Sequence, residues 1–123
     1  MIGKLSCSFV FYRTGSGRPI IATFYRKLPA AARKKCYSYL VRTRSRNLIN
    51  LPTNICEKMD RNLWEVKPEY NNIEYRFLLG WIADYRIRIV YAEIKKSRKL
   101  PRRDIELAMK RLKEMRGKVG SDE

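Results

Sequence analysis

The sequence has no histidine, few acidic residues and only three cysteines. Without histidine, the side chain that usually exchanges protons near neutral pH is missing, which excludes histidine-based acid–base chemistry. The cysteines, Cys7, Cys36 and Cys56, are odd in number and widely spaced. This pattern argues against a disulfide scaffold and a zinc site, and it favours buried thiols in a reducing cytoplasm. We therefore expect neither a metal nor another cofactor.

Long apolar runs are also lacking. No stretch reaches the roughly 18 apolar residues that a membrane-spanning helix needs. Residues 1–17 lack the uninterrupted apolar segment and the cleavage site of a signal peptide. We expect a soluble, cytoplasmic protein with no membrane partner.

Positive charge dominates the composition, with 28 lysines and arginines against 12 acidic residues and a formal net charge of +16. So high a charge on one domain favours polyanionic partners, because displacing counterions from a phosphate backbone supplies affinity that does not depend on base sequence. The basic residues spread over predicted strands, loops and helices, which favours nucleic acid over a membrane surface. An acidic protein is also a suitable partner. In the alternative interpretation, much of this charge is only a solvated surface.

Alternating apolar and polar residues, rich in β-branched and aromatic types, predict the strands. They fall at 8–13, 63–67, 73–80 and 86–94. A turn is expected at residues 69–72, where two asparagines follow each other, and another around Ala83 and Asp84. Short connections between the last three strands imply an antiparallel meander.

Apolar residues at helical spacing predict helices over 19–27 and 29–43, and a helical turn over 55–59. A last helix is expected to start at Pro101 and to end at Gly117 and Gly120. The prediction is therefore an α+β domain over residues 1–116, with a flexible tail over 117–123. Two N-terminal helices and a C-terminal helix pack on an antiparallel sheet of about four strands.

Polar residues that are candidates for catalysis or binding lie on the meander and in the segment that follows it. Lys67 and Arg76 fall on neighbouring predicted strands and are expected to share one polar face. The third strand leads into residues 94–103 (IKKSRKLPRR), the densest basic run of the chain. The basic run either contacts a polyanion, which its density favours, or is a solvated loop.

Four segments between residues 58 and 112 keep the order and spacing of motifs from a known family. Residues 58–67 (KMDRNLWEVK) resemble a K-x-L-x-x-G-L-[YW]-E-L-R segment, and residues 75–78 (YRFL) resemble a Y-R-[IV]-[LF] strand. Residues 94–101 (IKKSRKLP) resemble a V-K-K-T-x-K-T-P loop, and residues 105–112 (IELAMKRL) are similar to the E-I-x-x-A-x-x-R helix that follows it. No single segment is specific, but together they resemble the phage-derived RelE/HigB-like toxins.

This resemblance implies a RelE-like fold and a type II toxin, a small endoribonuclease that cuts mRNA, in several relatives on the translating ribosome. A cognate antitoxin, commonly a helix-turn-helix protein in this branch, holds such a toxin inactive. The partners implied are thus mRNA, the ribosome and an antitoxin. No metal is needed, because the 2′-hydroxyl of the RNA attacks the adjacent phosphate once the strand is positioned in line.

Three residues are the catalytic candidates that the resemblance implies. Arg76 is the predicted phosphate clamp, because its planar fork matches phosphoryl oxygens. Lys67 is a candidate acid, base or second phosphate contact, since neighbouring cations and desolvation lower the pKa of a lysine. Tyr91 is a candidate acid, base or stacking platform. The RNA backbone is expected to contact the basic run through Lys95, Lys96, Arg98, Lys99 and Arg102.

The chain also departs from the family pattern at the same place. Lys67 stands where the family has a strand-ending arginine, Tyr91 replaces a frequent histidine, and Glu93 stands where an apolar aromatic is usual.

Alternatives remain for each candidate. Arg76 is either the phosphate clamp or a structural partner of Glu65 or Glu74. Lys67 is either a catalytic residue or a solvated strand end, and Tyr91 is either a catalytic residue or a core residue. Glu65 is either a base or a charge-balancing partner. At the level of function, the alternatives are a non-catalytic basic module that binds nucleic acid or the ribosome and, with no positive feature, a phage structural or accessory protein.

Overall fold

The computed structural model describes residues 8–43, 56–82 and 86–121. Along them, one strand is followed by two helices, five strands and a last helix. The helices are α1 (Ile20–Arg26), α2 (Ala30–Arg42) and α3 (Arg102–Ser121). The strands are β1 (Ser8–Phe11), β2 (Cys56–Asp60), β3 (Leu63–Val66), β4 (Glu69–Tyr70), β5 (Ile73–Ile82) and β6 (Arg86–Ile94). This confirms the predicted α+β class, although the sheet has more strands than expected.

The sheet has the order β1-β6-β5-β3-β2, and β4 pairs with the beginning of β5. Neighbours from β2 to β6 are antiparallel, as the short connections predicted. The first strand also joins the sheet, but it lies parallel to β6, with Phe9 beside Ile87. Parallel neighbours need a long crossover, and here α1, α2 and the other strands separate β1 from β6 in the chain. An entirely antiparallel sheet was therefore the wrong expectation.

The prediction of a helical turn over 55–59 is wrong, because Cys56–Asp60 form strand β2. It pairs with β3 in antiparallel register, with Cys56 opposite Val66 and Lys58 opposite Trp64. A tight turn joins the two strands, and in it Asn62 has a φ of 54°. Asparagine tolerates this left-handed backbone, which lets the chain fold back directly onto β3. Pairing with β3 outweighs the weak local preference of the segment CEKMD.

The asparagine turn predicted at 69–72 is confirmed in part. Asn71 and Asn72 both have positive φ, 55° and 66°, as a two-residue hairpin turn requires. Tyr70 and Ile73, on either side of them, form a strand pair. The turn expected around Ala83 and Asp84 lies outside the described residues.

Helices cover both faces of the sheet. Phe77 of β5 meets the rings of Phe24 and Tyr25 from α1, with ring centroids 6.3 and 6.5 Å apart. Gly80, three residues further along β5, faces the opposite way and lies against Leu112 of α3. Trp64, Tyr75 and Phe77 are buried and belong to the hydrophobic core.

Gly80 is needed for the close approach of α3. A Cβ atom at this position would lie 2.5 Å from Leu112 Cδ2 and 2.5 Å from the backbone oxygen of Asn62. A bulge in β6 anchors the same helix, because the register skips Val90. The Val90 carbonyl accepts a hydrogen bond of 2.8 Å from Nη1 of Arg111. The glycine and the bulge thus fix α3 beside the candidate site.

Helix α3 runs to Ser121, so the prediction that Gly117 and Gly120 end it is wrong. Glycine inside a helix costs only about 1 kcal/mol relative to alanine, which neighbouring turns can offset. No helix in the part of the chain that the structure describes is long and apolar enough to cross a membrane.

Two of the cysteines are placed by the structure. Cys36 and Cys56 are free and buried, as predicted, and burial raises the pKa of each thiol to about 12. They therefore remain as thiols near neutral pH and are poor nucleophiles. Cys7 lies outside the described residues.

Candidate functional site

The register of three strands brings the predicted site residues onto the face of the sheet that α3 partly covers. Glu65 of β3 and Tyr91 of β6 both pair with Leu78 of β5, from its two sides. Arg76 pairs with Glu93 one step along the same face. Side chains from three strands therefore converge where β5 and β6 approach the basic loop.

Arg76 lies at the centre of this cluster and is 1% exposed. Its Nε donates a hydrogen bond to the Glu65 carboxylate, and its Nη1 donates to Glu93 Oε2 at 2.9 Å. Its Nη2 donates to the backbone oxygen of Ser97 at 3.3 Å. All three guanidinium nitrogens are thus engaged by the protein, which compensates the cost of burying the charge. The pairing is with Glu65, one of the two expected partners, and with Glu93; Glu74 pairs with Lys95 instead.

Lys67 follows β3 and extends the cluster to the surface. Its ammonium lies 3.1 Å from Glu57 Oε1 and 3.9 Å from Glu65 Oε1, and its side chain is 22% exposed. Lys67 and Arg76 therefore share a polar face, as predicted, with Glu65 between them.

Tyr91 and Glu93 form the other end of the cluster. The Tyr91 hydroxyl donates a hydrogen bond of 2.9 Å to Glu93 Oε1. Burial raises the pKa of Tyr91 well above its usual range, and the nearby carboxylates of Glu93 and Asp104 raise it further. Tyr91 therefore keeps its proton near neutral pH and is suited to donate a hydrogen bond rather than to accept a proton.

The basic loop, residues 95–101, begins directly beyond β6. The backbone oxygen of Ser97 is bound by Arg76, and Leu100 is buried, so the loop is held at two points. Lys95 pairs with Glu74 at 3.1 Å, and Arg102 lies 3.4 Å from Asp60 and 3.5 Å from Glu106. Within the loop, the exposed cations Lys96, Arg98 and Lys99 form no ion pair with any described residue.

Two carboxylates of the cluster were not predicted as site residues. Glu57 contacts Lys67, and Glu93 binds Arg76 and Tyr91. Tyr91 and Glu93 alternate on one strand, so the sequence does place them on one face. That Glu93 lies opposite Arg76 depends on the strand register, which the sequence pattern does not fix.

The arrangement combines proton-transfer groups with cations that can bind phosphate. A carboxylate held between an arginine and a tyrosine can accept a proton without changing position, and an exposed lysine can donate one. Among the described residues, no group of three or more acidic or cysteine side chains could hold a metal ion.

Fold and site define a basic α+β protein with a charged cluster on the sheet, beside a basic loop. Residues 23–113, about three quarters of the chain, match the family described as "Phage derived protein Gp49-like (DUF891)". The chain belongs to this Gp49-like family, which is associated with RelE-type toxins. Comparison with curated proteins finds no match.

Proposed function

We propose that this protein is the toxin of a type II toxin–antitoxin system and that it cleaves mRNA without a metal, in association with the ribosome. Membership of the Gp49-like family supports a toxin, and the resemblance of residues 58–112 to RelE/HigB-like toxins supports the narrower assignment. The reaction is attack of the ribose 2′-hydroxyl on the adjacent phosphate, and the site of action is the cytoplasm, where mRNA is translated.

One observation carries the proposal: Arg76 joins the carboxylates of Glu65 and Glu93 to the backbone of the basic loop. Its guanidinium binds Glu65, Glu93 and the Ser97 carbonyl together. RNA bound by the exposed cations Lys96, Arg98 and Lys99 is thereby held beside groups that can transfer protons. Positioning a phosphate next to such groups is what RNA cleavage without a metal requires.

Within this proposal, the three predicted catalytic residues have different tasks. Lys67 is the acid that protonates the leaving 5′-oxygen, since its ammonium is partly exposed. Tyr91 donates its hydroxyl hydrogen bond within the site. Arg76 can clamp a phosphate only if a carboxylate releases one of its nitrogens. In the arrangement described above, it positions the carboxylates and the loop.

The proposed partner is a cognate antitoxin, a helix-turn-helix protein with an acidic or groove-filling segment. A net charge of +16 supports this, because a free protein so basic binds polyanions without selection. Titration of the product of a neighbouring reading frame tests it. A complex at micromolar concentration or tighter, weakened by salt, is expected. Absence of any complex would reject the antitoxin.

Primer extension on a reporter mRNA in a reconstituted translation reaction tests the nuclease. The wild type, Lys67→Ala and Arg76→Lys are compared with and without ribosomes, and the chelator is added to the reaction without ribosomes, because ribosomes themselves need Mg²⁺. New 5′ ends are expected from the wild type, with or without chelator, and at a rate lower by about 10²–10³ from the variants, by analogy with the loss of one oxyanion-hole donor. Ends that disappear with chelator would contradict the metal-independent mechanism.

The second candidate function is a non-catalytic module that binds RNA, the ribosome or DNA. The observation that favours it is the burial of Arg76 with Glu65, because a buried ion pair that is extended to Glu93 can also serve only to stabilise the fold. A transcript that stays intact while the protein still binds ribosomes or RNA would favour the module over the nuclease.

A further inference from the structure

We propose that Glu93 is the general base of the RNA cleavage, an inference that rests on the proposed function. Its Oε2 accepts a hydrogen bond from Arg76 Nη1 at 2.9 Å, and its Oε1 accepts one from the Tyr91 hydroxyl at 2.9 Å. Neither neighbour can act as a base, because a guanidinium stays charged and Tyr91 keeps its proton. A carboxylate is therefore the proton acceptor that this cluster offers.

Access separates Glu93 from the other carboxylates around the cluster. The side chain of Glu65 is 5% exposed, whereas that of Glu93 is 22% exposed. Glu57 lies on β2 at the far side of Lys67, with 47% exposure. Asp104, on the first turn of α3, influences Tyr91 but forms no ion pair with Arg76 within the described part of the chain.

Position along the chain also favours Glu93. It lies two residues before Lys95, where the basic loop begins, and Arg76 bonds both its carboxylate and the Ser97 carbonyl. An RNA backbone that contacts the loop cations is thus led past the exposed edge of this carboxylate. Arg76 is a positioning residue here, because its hydrogen bond, together with the one from Tyr91, fixes the carboxylate of Glu93.

The proposed step balances without a further reactant. Glu93 takes the proton of the 2′-hydroxyl while the 2′-oxygen forms a bond to phosphorus. The bond between phosphorus and the 5′-oxygen breaks, and Lys67 gives a proton to that oxygen. The products are a 2′,3′-cyclic phosphate and a 5′-hydroxyl end, and exchange with water returns the proton from Glu93 to Lys67.

The test compares single-turnover cleavage by the wild type, Glu93→Gln and Glu93→Asp across a range of pH, on the reporter mRNA with ribosomes. Glutamine keeps the shape of the side chain but cannot accept the proton. We expect Glu93→Gln to lower the rate by about 10²–10⁴, the usual contribution of acid–base catalysis. It should also lose the rise of rate with pH that marks deprotonation of the base. Glu93→Asp retains that rise at a lower rate.

Glu114→Gln is the matched control, because Glu114 Oε1 also accepts a hydrogen bond from a tyrosine, Tyr12, at 3.0 Å, but outside the cluster. It should cleave as the wild type does. Binding of an RNA with a 2′-deoxyribose at the cleaved position should be unchanged in Glu93→Gln, which separates chemistry from binding and also reports folding.

A second substrate distinguishes the base from the acid. A sulfur in place of the bridging 5′-oxygen leaves without protonation, so it should restore cleavage by Lys67→Ala but not by Glu93→Gln. If the wild type cleaves the mRNA and Glu93→Gln cleaves it as fast or faster, the role of Glu93 as the base is overturned while the proposed function stands. If Glu93→Gln fails to fold, loss of the pH-dependent rise in Glu93→Asp overturns it instead. A wild type that never cleaves would reject the proposed function and this inference together.

Discussion

Replacing Arg76 with alanine would leave a charge in the interior. Glu65, whose side chain is 5% exposed, loses the guanidinium that neutralises it. The nearest remaining cation that the structure places is Lys67, with its ammonium 3.9 Å from Glu65 Oε1. Glu93 keeps the hydrogen bond from Tyr91 but also loses its cation. The change therefore breaks two ion pairs, Arg76–Glu65 and Arg76–Glu93, and leaves the carboxylate of Glu65 buried without its main cation.

Removing one partner of a buried ion pair usually costs about 3–5 kcal/mol, because the remaining charge stays desolvated. For a domain of this size, that corresponds to a fall of roughly 10–20 °C in Tm. Arg76→Lys should cost less, since a charge remains while the planar fork is lost.

Urea denaturation followed by circular dichroism measures the free energy of unfolding of each variant. Lys95→Ala is the matched control, because Lys95, the first residue of the basic loop, pairs with Glu74 of β5 near the surface. Pairs near the surface contribute about 0–1 kcal/mol. Arg76→Ala losing no more stability than Lys95→Ala would refute the assignment of Arg76 as the neutralised centre of the cluster. A loss of mRNA cleavage in Arg76→Ala must therefore be compared with that in Arg76→Lys before it is assigned to chemistry.

Three further predictions concern α3, Tyr91 and the basic loop. Gly80→Ala should destabilise the protein by about 1–3 kcal/mol, because the added methyl group clashes with Leu112 and Asn62. Gly15→Ala is the control, since a Cβ atom at Gly15 has no other atom within 4 Å. Equal Tm values for the two variants in thermal melts would contradict the packing described at Gly80. The pKa of Tyr91 is higher in the folded protein than in the unfolded chain, where it is about 10, so its contribution to stability is complete below about pH 10 and is lost as the pH rises towards the pKa of the folded protein. Tyr91→Phe should therefore reduce the fall in the free energy of unfolding at alkaline pH. An unchanged fall would refute this role of Tyr91. Removing three loop cations should lower the salt dependence of RNA binding by about 2 in log–log slope, at about 0.7 per contact. The loop variant combines Lys96→Ala, Arg98→Ala and Lys99→Ala, and the control combines Lys27→Ala, Lys34→Ala and Lys35→Ala. An equal decrease of the slope in both triple variants would reject the loop as the RNA-binding surface.

Strand alternation predicted the part of the fold that depends on local pattern. Strand β6 begins at Arg86 and ends at Ile94, as its β-branched and aromatic residues indicated. The paired asparagines, Asn71 and Asn72, specify a turn through their tolerance of positive φ. In these places, side-chain chemistry and the final structure agree residue by residue.

Long-range pairing decided what the pattern could not. Strand β2 is set by β3 across the Asn62 turn, and β1 lies beside β6 although most of the chain separates them. For the site, alternation placed Lys67 and Arg76 on one face. The contact between Arg76 and Glu93 also needs the register of β5 and β6, which the bulge at Val90 shifts.

The hydrogen bond from Arg76 to the Ser97 carbonyl has a thermodynamic consequence for regulation. It couples the conformation of the basic loop to the ion pairs of the cluster. Such coupling is reciprocal: a ligand that holds the loop away from Arg76 weakens the arrangement of Glu93, and an intact cluster weakens the binding of that ligand by the same factor. A partner that binds only the loop therefore has a way to act on the cluster at a distance, without covering it.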